Sequence, residues 1–600
     1  MKICKVSINN FRGIKSGSVL LDGNSVFVGD NNSGKSTIFE AIDLVMGPDR
    51  LSKRPVIDEH DFYAGEYLID ETPVDITIEV IVIDLSEEQL RHFGNYIEWW
   101  DTEQKELLQG PPAADTEKET VVPALRLLFK GGYDLEEDDF DGQTYFALTV
   151  RDGGQSMKFQ AKDKRNCGFL YLRTLRTGNR ALSLEKGSLL DIILQLKELR
   201  PKMWENVIDQ LKDVSVATDP DLGLEDVLSS VQKSLSTIVS YETAESPRIK
   251  VSNMTREHLR KVLTVFLGSG SKDSKGAEYA TPYYHQGTGT INTLVLTLLS
   301  MIAEIKENVI FAMEEPEIAL PPHIQKRVVL SVIERSNQAL FTSHSPYVIE
   351  ELPPNHILVV SRKDGALNVA PANMPPAVKA KSYREEIRRR FCESLLARRV
   401  LITEGRTEYD VYTTAARKLQ RLHPDQSLSF ELLGISMVNA ETESQIGDLG
   451  LYYKSLNKKV YAVFDKQKDE AREKIASSVD FCYEAAEDGI ENVVLKGIKT
   501  EILIAYGLRL VTDGVWPQHL SEHKPHKSMG AEDIYTALFK YFKWSKGEGT
   551  LADLIQFCPE GEMPMFITDT IYSISETVYP REQYDVTEID EIGSDSVTGI

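Results

Sequence analysis

The chain has 600 residues, 42% hydrophobic and 27% charged. That is a globular composition with room for two or three domains, and it excludes a disordered, collagen-like or small disulfide-scaffold protein. Lys and Arg number 68 against 92 Asp and Glu, a net charge of −24, so nucleic acid could be held only by a local basic groove and not by global attraction.

The five cysteines (Cys4, Cys167, Cys392, Cys482, Cys558) are scattered and form no C-x-x-C pair, which argues against a disulfide framework or a cysteine zinc site. The opening MKICKVSINNFRGIKSG alternates polar and apolar residues and lacks the apolar core of a signal peptide. The most apolar stretch, Leu294 to Ala303, is far shorter than the ~20 residues of a membrane span. A cytoplasmic protein with no membrane partner is expected.

In chain order, alternation predicts strands at Lys2–Asn9, Val19–Leu21 and Ser25–Val28, then a Gly- and Asn-rich loop and a helix from Ser36 to Met46. Val74 to Asp84 is dense in β-branched residues and reads as a strand. Residues 101–120, with Pro111-Pro112, read as a surface loop, and Leu135 to Asp141 as an exposed acidic segment. Apolar residues at i, i+3 and i+4 predict helices from Ser188 to about Ile238. Gly268–Gly276 reads as a flexible loop, and strands and helices alternate again from Tyr283 to Asn368. Pro371–Pro376 is a linker candidate, Lys379–Arg399 a basic helix, and Val400 opens a new β/α series. The acidic end from about Tyr579 is expected to fray.

Gly29-Asp30-Asn31-Asn32-Ser33-Gly34-Lys35-Ser36 fits G-x-x-x-x-G-K-[ST] between a strand and a helix. Such a loop wraps phosphates with backbone N–H groups, sets a lysine on the β/γ-phosphates and a hydroxyl on Mg²⁺. The nucleotide candidates are Asn31, Asn32, Ser33, Gly34, Lys35, Ser36 and Thr37, with Ser36 also a metal ligand. The apolar strand Asn308–Met313 runs into Glu314-Glu315-Pro316-Glu317. Glu314 is the candidate for the Mg²⁺ shell, and Glu315 for polarising the attacking water. Strand Ala339–Thr342 ends in Ser343-His344, where His344 can sense the γ-phosphate.

A second chemistry starts at strand Arg399–Thr403, which ends in Glu404-Gly405-Arg406-Thr407-Glu408 before a helix. A carboxylate at a strand's C-terminal end is where α/β folds place active residues, and Glu404 and Glu408 lie about one helical turn apart. Strand Val460–Phe464 ends at Asp465. Asn492–Leu495 leads to Lys499-Thr500-Glu501, another acid at the start of an apolar helix. Glu404, Glu408, Asp465 and Glu501 suit a divalent cluster that aligns water and a phosphodiester. Basic residues between the two regions (Lys379, Lys381, Arg384, Arg388, Arg389, Arg390, Arg398, Arg399) are candidates for phosphate contacts, with a solvated linker helix as the other reading.

The P-loop, acidic strand end and histidine together resemble an ABC-type ATPase head of the SMC/RecF/OLD group. In that group two heads sandwich ATP, and a signature segment of one caps the nucleotide on the other. The corresponding place here is His285-Gln286-Gly287-Thr288-Gly289-Thr290, with Gly287 and Gly289 as candidates in place of the LSGGQ wording. Asn10-Phe11-Arg12-Gly13 looks like the family's opening and adds Arg12 to the nucleotide set. Ser394–Tyr409 (SLLARRVLITEGRTEY) resembles the start of the Toprim domain in OLD-family nucleases, and head-then-Toprim is that family's order.

The resemblance implies an α/β protein: a P-loop ATPase head with a helical insert, then an α/β Toprim domain. The segments expected are 1–185 and 263–375 for the head, 186–262 for an insert that dimerises or is a simple helical lobe, 376–398 for a basic linker helix, 399–580 for Toprim and 581–600 for the tail. It also implies ATP and Mg²⁺ (or Mn²⁺), double-stranded DNA as substrate, self-association as dimer or tetramer, and a place in anti-phage systems beside an operon-encoded helicase or a retron RNA/DNA. OLD nucleases place a lysine near the scissile phosphate; Lys546 is the choice here, with Lys496 and Lys527 as rivals. Toprim domains usually carry D-x-D, whereas this chain has Asp465-Lys466-Gln467. Gln is the weaker ligand, and Asp469 is a candidate substitute. Two readings stay open: a DNA endonuclease, or an ATP-dependent clamp or sensor with a non-cutting Toprim domain.

Overall fold

The computed structural model describes residues 1–48, 56–108, 110–111, 120–150, 156–172, 182–185, 188–212, 224–238, 255–305, 309–318, 320–373 and 385–579. It divides into two compact units, Met1–Phe27 with Asn32–Val369, and Val28–Asn31 with Ala370–Ile600. The helical segment expected as an insert clusters with the first. The expected tail 581–600 and Lys379, Lys381 and Arg384 of the basic segment lie outside the described residues.

The first unit is built on a thirteen-stranded sheet. Four of its strands, Phe169–Leu172, Ile310–Glu314, Gln338–Thr342 and Ser25–Val28, lie side by side and parallel. The last three are buried at every position, as parallel strands covered on both faces must be. That is why they read as unbroken apolar runs. The other wing is largely antiparallel: Lys2–Phe11 lies between Ile14–Leu20 and Ile76–Ile83, and Val121–Asp134 continues the sheet. There the alternation is clean; Val6, Ile8 and Phe11 point into the core between partly exposed neighbours.

Two expectations need correction. Part of the loop expected at 101–120 is strand: Glu106–Leu108 pairs with Ile97–Asp101. The flexible loop expected at Gly268–Gly276 begins as strand Phe266–Lys272, paired with Glu278–Pro282. Glycines hid the pairing because they carry no side-chain pattern. The helices after Ser188 appear at Leu189–Leu196, Arg200–Lys212 and Leu224–Ile238. Their anchor is Trp204, buried with Leu184 and Leu259 under the Arg260 guanidinium.

In the second unit four parallel strands run in the order Ile435–Asn439, Arg399–Thr403, Lys459–Phe464, Phe481–Glu484. Helices Thr500–Thr512, Ala531–Trp544, Thr550–Phe557 and Met565–Val578 share its core. Among the described residues the basic helix runs Glu385–Leu396 and ends before Arg399. Arg399 already belongs to the strand and donates to the Leu433 carbonyl at 2.9 Å, which commits it to the fold. Two buried lysines close helix ends from outside. Lys418 donates to the carbonyls of Ile555 (2.9 Å), Gln556 (3.0 Å) and Cys558. Lys458 donates to those of Leu395 (2.8 Å) and Ala397 (2.5 Å). Cations satisfy C-terminal carbonyls and complement the helix dipole.

Candidate functional site

Three motifs sit at the C-terminal ends of neighbouring parallel strands, where open α/β sheets bind ligands. The P-loop follows Ser25–Val28, the acids close Ile310–Glu314, and His344 follows Gln338–Thr342. Gly29 (φ 146°), Asn32 (φ 62°) and Gly34 (φ 107°) turn the loop through left-handed conformations. Such turns converge amide N–H groups on an anion. Gly34 caps helix Lys35–Met46 and accepts from Ile38 N at 3.0 Å. Ser33 and Lys35 are buried, Thr37 is half-buried, and Asn31, Asn32 and Ser36 are exposed. Arg12 is engaged: it pairs with Glu40 on that helix and with Asp61 at 2.8 Å, and its amide donates to the Asp61 carbonyl at 2.7 Å. It borders an open cleft of about 810 Å³ lined also by Asp58, His60 and Asp61.

Glu314 is buried and accepts from the Tyr171 hydroxyl at 2.9 Å. Glu315 adopts φ 45° and its amide donates to the Thr342 carbonyl at 2.8 Å, so the acid loop is tied to the end of the next strand. His344 is exposed beside it. Gly287 and Gly289 flank the start of helix Thr288–Ile305, exposed and with open space where side chains would stand.

The second unit gathers carboxylates at the ends of its two central strands. Glu404 follows Arg399–Thr403; Asp465 follows Lys459–Phe464. Glu408 lies in the first turn of helix Arg406–Leu422 and is 8% exposed. The fourth member is Glu491, 3% exposed in the first turn of Ile490–Gly497. Asp465 is pushed up to about 7 by burial first, then by Glu408, Glu404 and Glu491, against a hydrogen bond from the Gly489 backbone. Burial and then Glu443 raise Glu404; burial and then Glu404 and Glu491 raise Glu408. One buried oxygen each of Glu404 and Glu491 has no hydrogen-bond partner.

Lys546 is the cation acting on both Glu404 and Glu408. Its loop is pinned by buried Ser545, which donates to the Tyr541 carbonyl at 2.9 Å and meets the Thr550 hydroxyl at 2.8 Å. Lys546 and Glu491 line one narrow crevice with Thr407 and Asp410. The rival Lys496 is bound to Glu487 at 2.5 Å, and Lys527 is exposed on another loop.

Glu501 is corrected. It is exposed on helix Thr500–Thr512 and is not among the charges acting on Glu404, Glu408 or Asp465. Asn492–Leu495, the segment that led to Glu501 in the sequence, lies in helix Ile490–Gly497. The strand is the four-residue Phe481–Glu484, and the acid opening the helix after it is Glu491. Asp469 opens helix Asp469–Ser478 and is exposed. Gln467 is held through its amide, which donates to Glu484 at 2.9 Å.

Among the described residues no three His, Cys, Asp or Glu side chains stand close enough to grip a metal ion as placed. The donor chemistry nevertheless fits a hard divalent cation: carboxylates only, two buried and two half-buried, with an unpartnered oxygen on Glu404 and on Glu491.

Comparison with known proteins agrees with this division. Residues 1–120 and 170–349, half of the chain, match the model of the AAA ATPase domain. Residues 395–466 match the TOPRIM domain of overcoming lysogenization defect protein-like proteins. The chain belongs to the OLD family of ATPase–Toprim nucleases. Endonuclease GajA of Bacillus cereus (strain VD045) is 20% identical over 444 residues, 72% of this chain and 69% of the relative. Among solved structures, an SmcHead bound to the C-winged helix domain of ScpA covers 63% of this chain and 99% of its own at 14% identity and a TM-score of 0.34. The SMC head domain from Thermotoga maritima covers 62% and 100% at 12% identity and a TM-score of 0.29. The Toprim match of this OLD-family chain ends at Lys466, one residue before the Gln467 departure. No described helix is long and apolar enough to cross a membrane.

Proposed function

We propose that this OLD-family chain is a divalent-metal-dependent DNA endonuclease governed by ATP, acting as the nuclease of a bacterial anti-phage system. The observation that carries the reading is the group of mutually interacting carboxylates Glu404, Glu408, Asp465 and Glu491, half-buried or buried at strand ends and helix starts, with Lys546 acting on Glu404 and Glu408. Burial and mutual repulsion make these acids costly without a metal. Mg²⁺ or Mn²⁺ bound there supplies a polarised water and charge neutralisation at a phosphodiester. Glu404 and Asp465, at adjacent strand ends, fix the ion's position, and Glu408 and Glu491 reach it from two helix starts. Lys546 sits on a glycine-flanked loop and neutralises the scissile phosphate.

In the ATPase head the P-loop amides and Lys35 hold the phosphates, Ser36 and Glu314 hold the nucleotide's Mg²⁺, Glu315 orients water and His344 senses the γ-phosphate. Gly287 and Gly289 cap the nucleotide of a second copy, so the working form is at least a dimer.

The test is cleavage of supercoiled plasmid in Mg²⁺ or Mn²⁺, with and without ATP, by wild type, Glu404→Ala and Glu491→Ala. Cutting lost in both variants supports the reading; cutting kept in Glu404→Ala overturns it. Gln467 favours a second reading, an ATP-dependent DNA clamp with a silent Toprim site. DNA binding without cutting under every condition, with cutting created by Gln467→Asp, is its signature. The defence role is tested by phage plating efficiency with and without Glu404→Ala.

A further inference from the structure

Glu317 is the third acid of the Glu314-Glu315-Pro316-Glu317 run, and neither motif assigns it a task. Its carboxylate reaches across to the next strand's loop. One oxygen accepts from the His344 backbone N–H at 2.6 Å, the other from the Ser343 hydroxyl at 3.0 Å. A charge-assisted pair of bonds of this kind is among the stronger links a loop can make. The link is braced from behind. Gln325, on helix Pro322–Arg335, donates to the Leu320 carbonyl at 2.8 Å and accepts from the Ser345 hydroxyl at 2.5 Å. The Ser345 amide in turn donates to the Ser343 hydroxyl oxygen at 2.9 Å. Ser343, Ser345 and Gln325 are all buried. In the other direction, the Glu315 amide donates to the Thr342 carbonyl at 2.8 Å. Acid loop and histidine loop are therefore cross-tied twice, on strands already paired Glu314 to Thr342.

We infer that Glu317 is a positioning residue for ATP hydrolysis: its carboxylate fixes the histidine loop on the acid loop, so that Glu315 and His344 meet one nucleotide in a set spacing. Both its oxygens are engaged by protein donors, which leaves Glu315 to act on water. The inference rests on the proposed roles of Glu315 and His344.

The role depends on side-chain length and acceptor geometry, not on charge. The full chain is assayed for steady-state ATP hydrolysis and for equilibrium binding of a fluorescent ATP analogue, with Glu317→Gln, Glu317→Asp and Glu315→Gln compared to wild type. Glu317→Gln keeps an acceptor for the His344 N–H and an amide that can donate to the Ser343 oxygen; kcat should fall by no more than about threefold. Glu317→Asp keeps the charge but withdraws it by one methylene. It should lose kcat by about a hundredfold, as a displacement near 1 Å does, while nucleotide affinity changes by less than about threefold. The reverse order, with Asp active and Gln inactive, would show that the charge itself is used and overturns the inference. So would two variants that both turn over like wild type, or an Asp variant whose loss is entirely in affinity. Glu315→Gln isolates the underlying reading: if it hydrolyses ATP at the wild-type rate, the role given to Glu315 fails whatever Glu317 does.

Discussion

Metal-free protein should lose stability as pH rises from 5 to 8, and Asp465→Asn should remove most of that loss. Asp465 has an ordinary value of 3.8 and is pushed up to about 7 in the fold. Between those values the folded state holds a proton that the unfolded chain has released. Unfolding free energy therefore falls with rising pH through that window, and the full cost stands above pH 7. The shift, 7 − 3.8, is about 3 units, and at about 1.36 kcal/mol per unit the ceiling is about 4 kcal/mol. The carboxylate is only partly shielded from water, so screening reduces this to about 2 kcal/mol. Glu404 and Glu408 are raised as well and add to the fall with the same sign, whereas Lys546 opposes it at both. The assay is urea denaturation followed by circular dichroism in a chelator, at pH 5 and pH 8. The assay crosses only the part of the window from pH 5 to 7, about two thirds of it, so wild type should drop about 1 kcal/mol more than Asp465→Asn between the two pH values, and Mg²⁺ added at pH 8 should stabilise wild type more than the variant. Equal pH dependence in the two proteins would refute the claim that these carboxylates crowd one site.

Two further changes probe each unit separately. Lys418→Met removes the donor shared by three carbonyls at the end of helix Thr550–Phe557 and should cost about 3 kcal/mol in urea denaturation; wild-type stability would mean the cap contributes nothing. Gly34→Ala puts a side chain at φ 107°, where its β-carbon would touch Ile14 and Leu367 at only 3.6 Å, so strain more than crowding opposes it. At about 1–3 kcal/mol the loop should shift, and ADP affinity by calorimetry should fall at least about tenfold.

The strand-then-acid pattern was legible wherever a strand is buried on both faces. Ile310–Glu314, Gln338–Thr342, Arg399–Thr403 and Lys459–Phe464 have apolar interiors, and each closes on or is followed at once by a polar stretch, at Glu314, Ser343, Glu404 and Asp465. The P-loop was legible because its glycines are demanded by backbone conformation. What failed were short or half-exposed elements. Phe481–Glu484 has four residues at the edge of its sheet, too few to show a period. Ile490–Gly497 is apolar enough to pass for a strand, since β-branched residues are tolerated in a helix packed against a core. That pair of misreadings moved the candidate acid from Glu491 to Glu501. Arg12 was legible only through the resemblance of Asn10-Phe11-Arg12-Gly13 to the family's opening; its partners, Glu40 and Asp61, are distant in sequence and emerge only from the fold.

The position of Gln467 looks different once Glu491 is in place. Seen in sequence, the loss of the second D-x-D carboxylate leaves the nuclease short of a ligand. In the fold, the charges of Glu404, Glu408 and Glu491 already raise Asp465, and a further acid at the half-buried position 467 would add to them. Each added acid raises the cost of the metal-free state through like-charge repulsion and desolvation. A glutamine at that position lowers the repulsion and still offers a neutral oxygen donor. The chain thus breaks the usual rule against burying unpaired charge at one place, and its departure from the family wording falls where it eases that conflict.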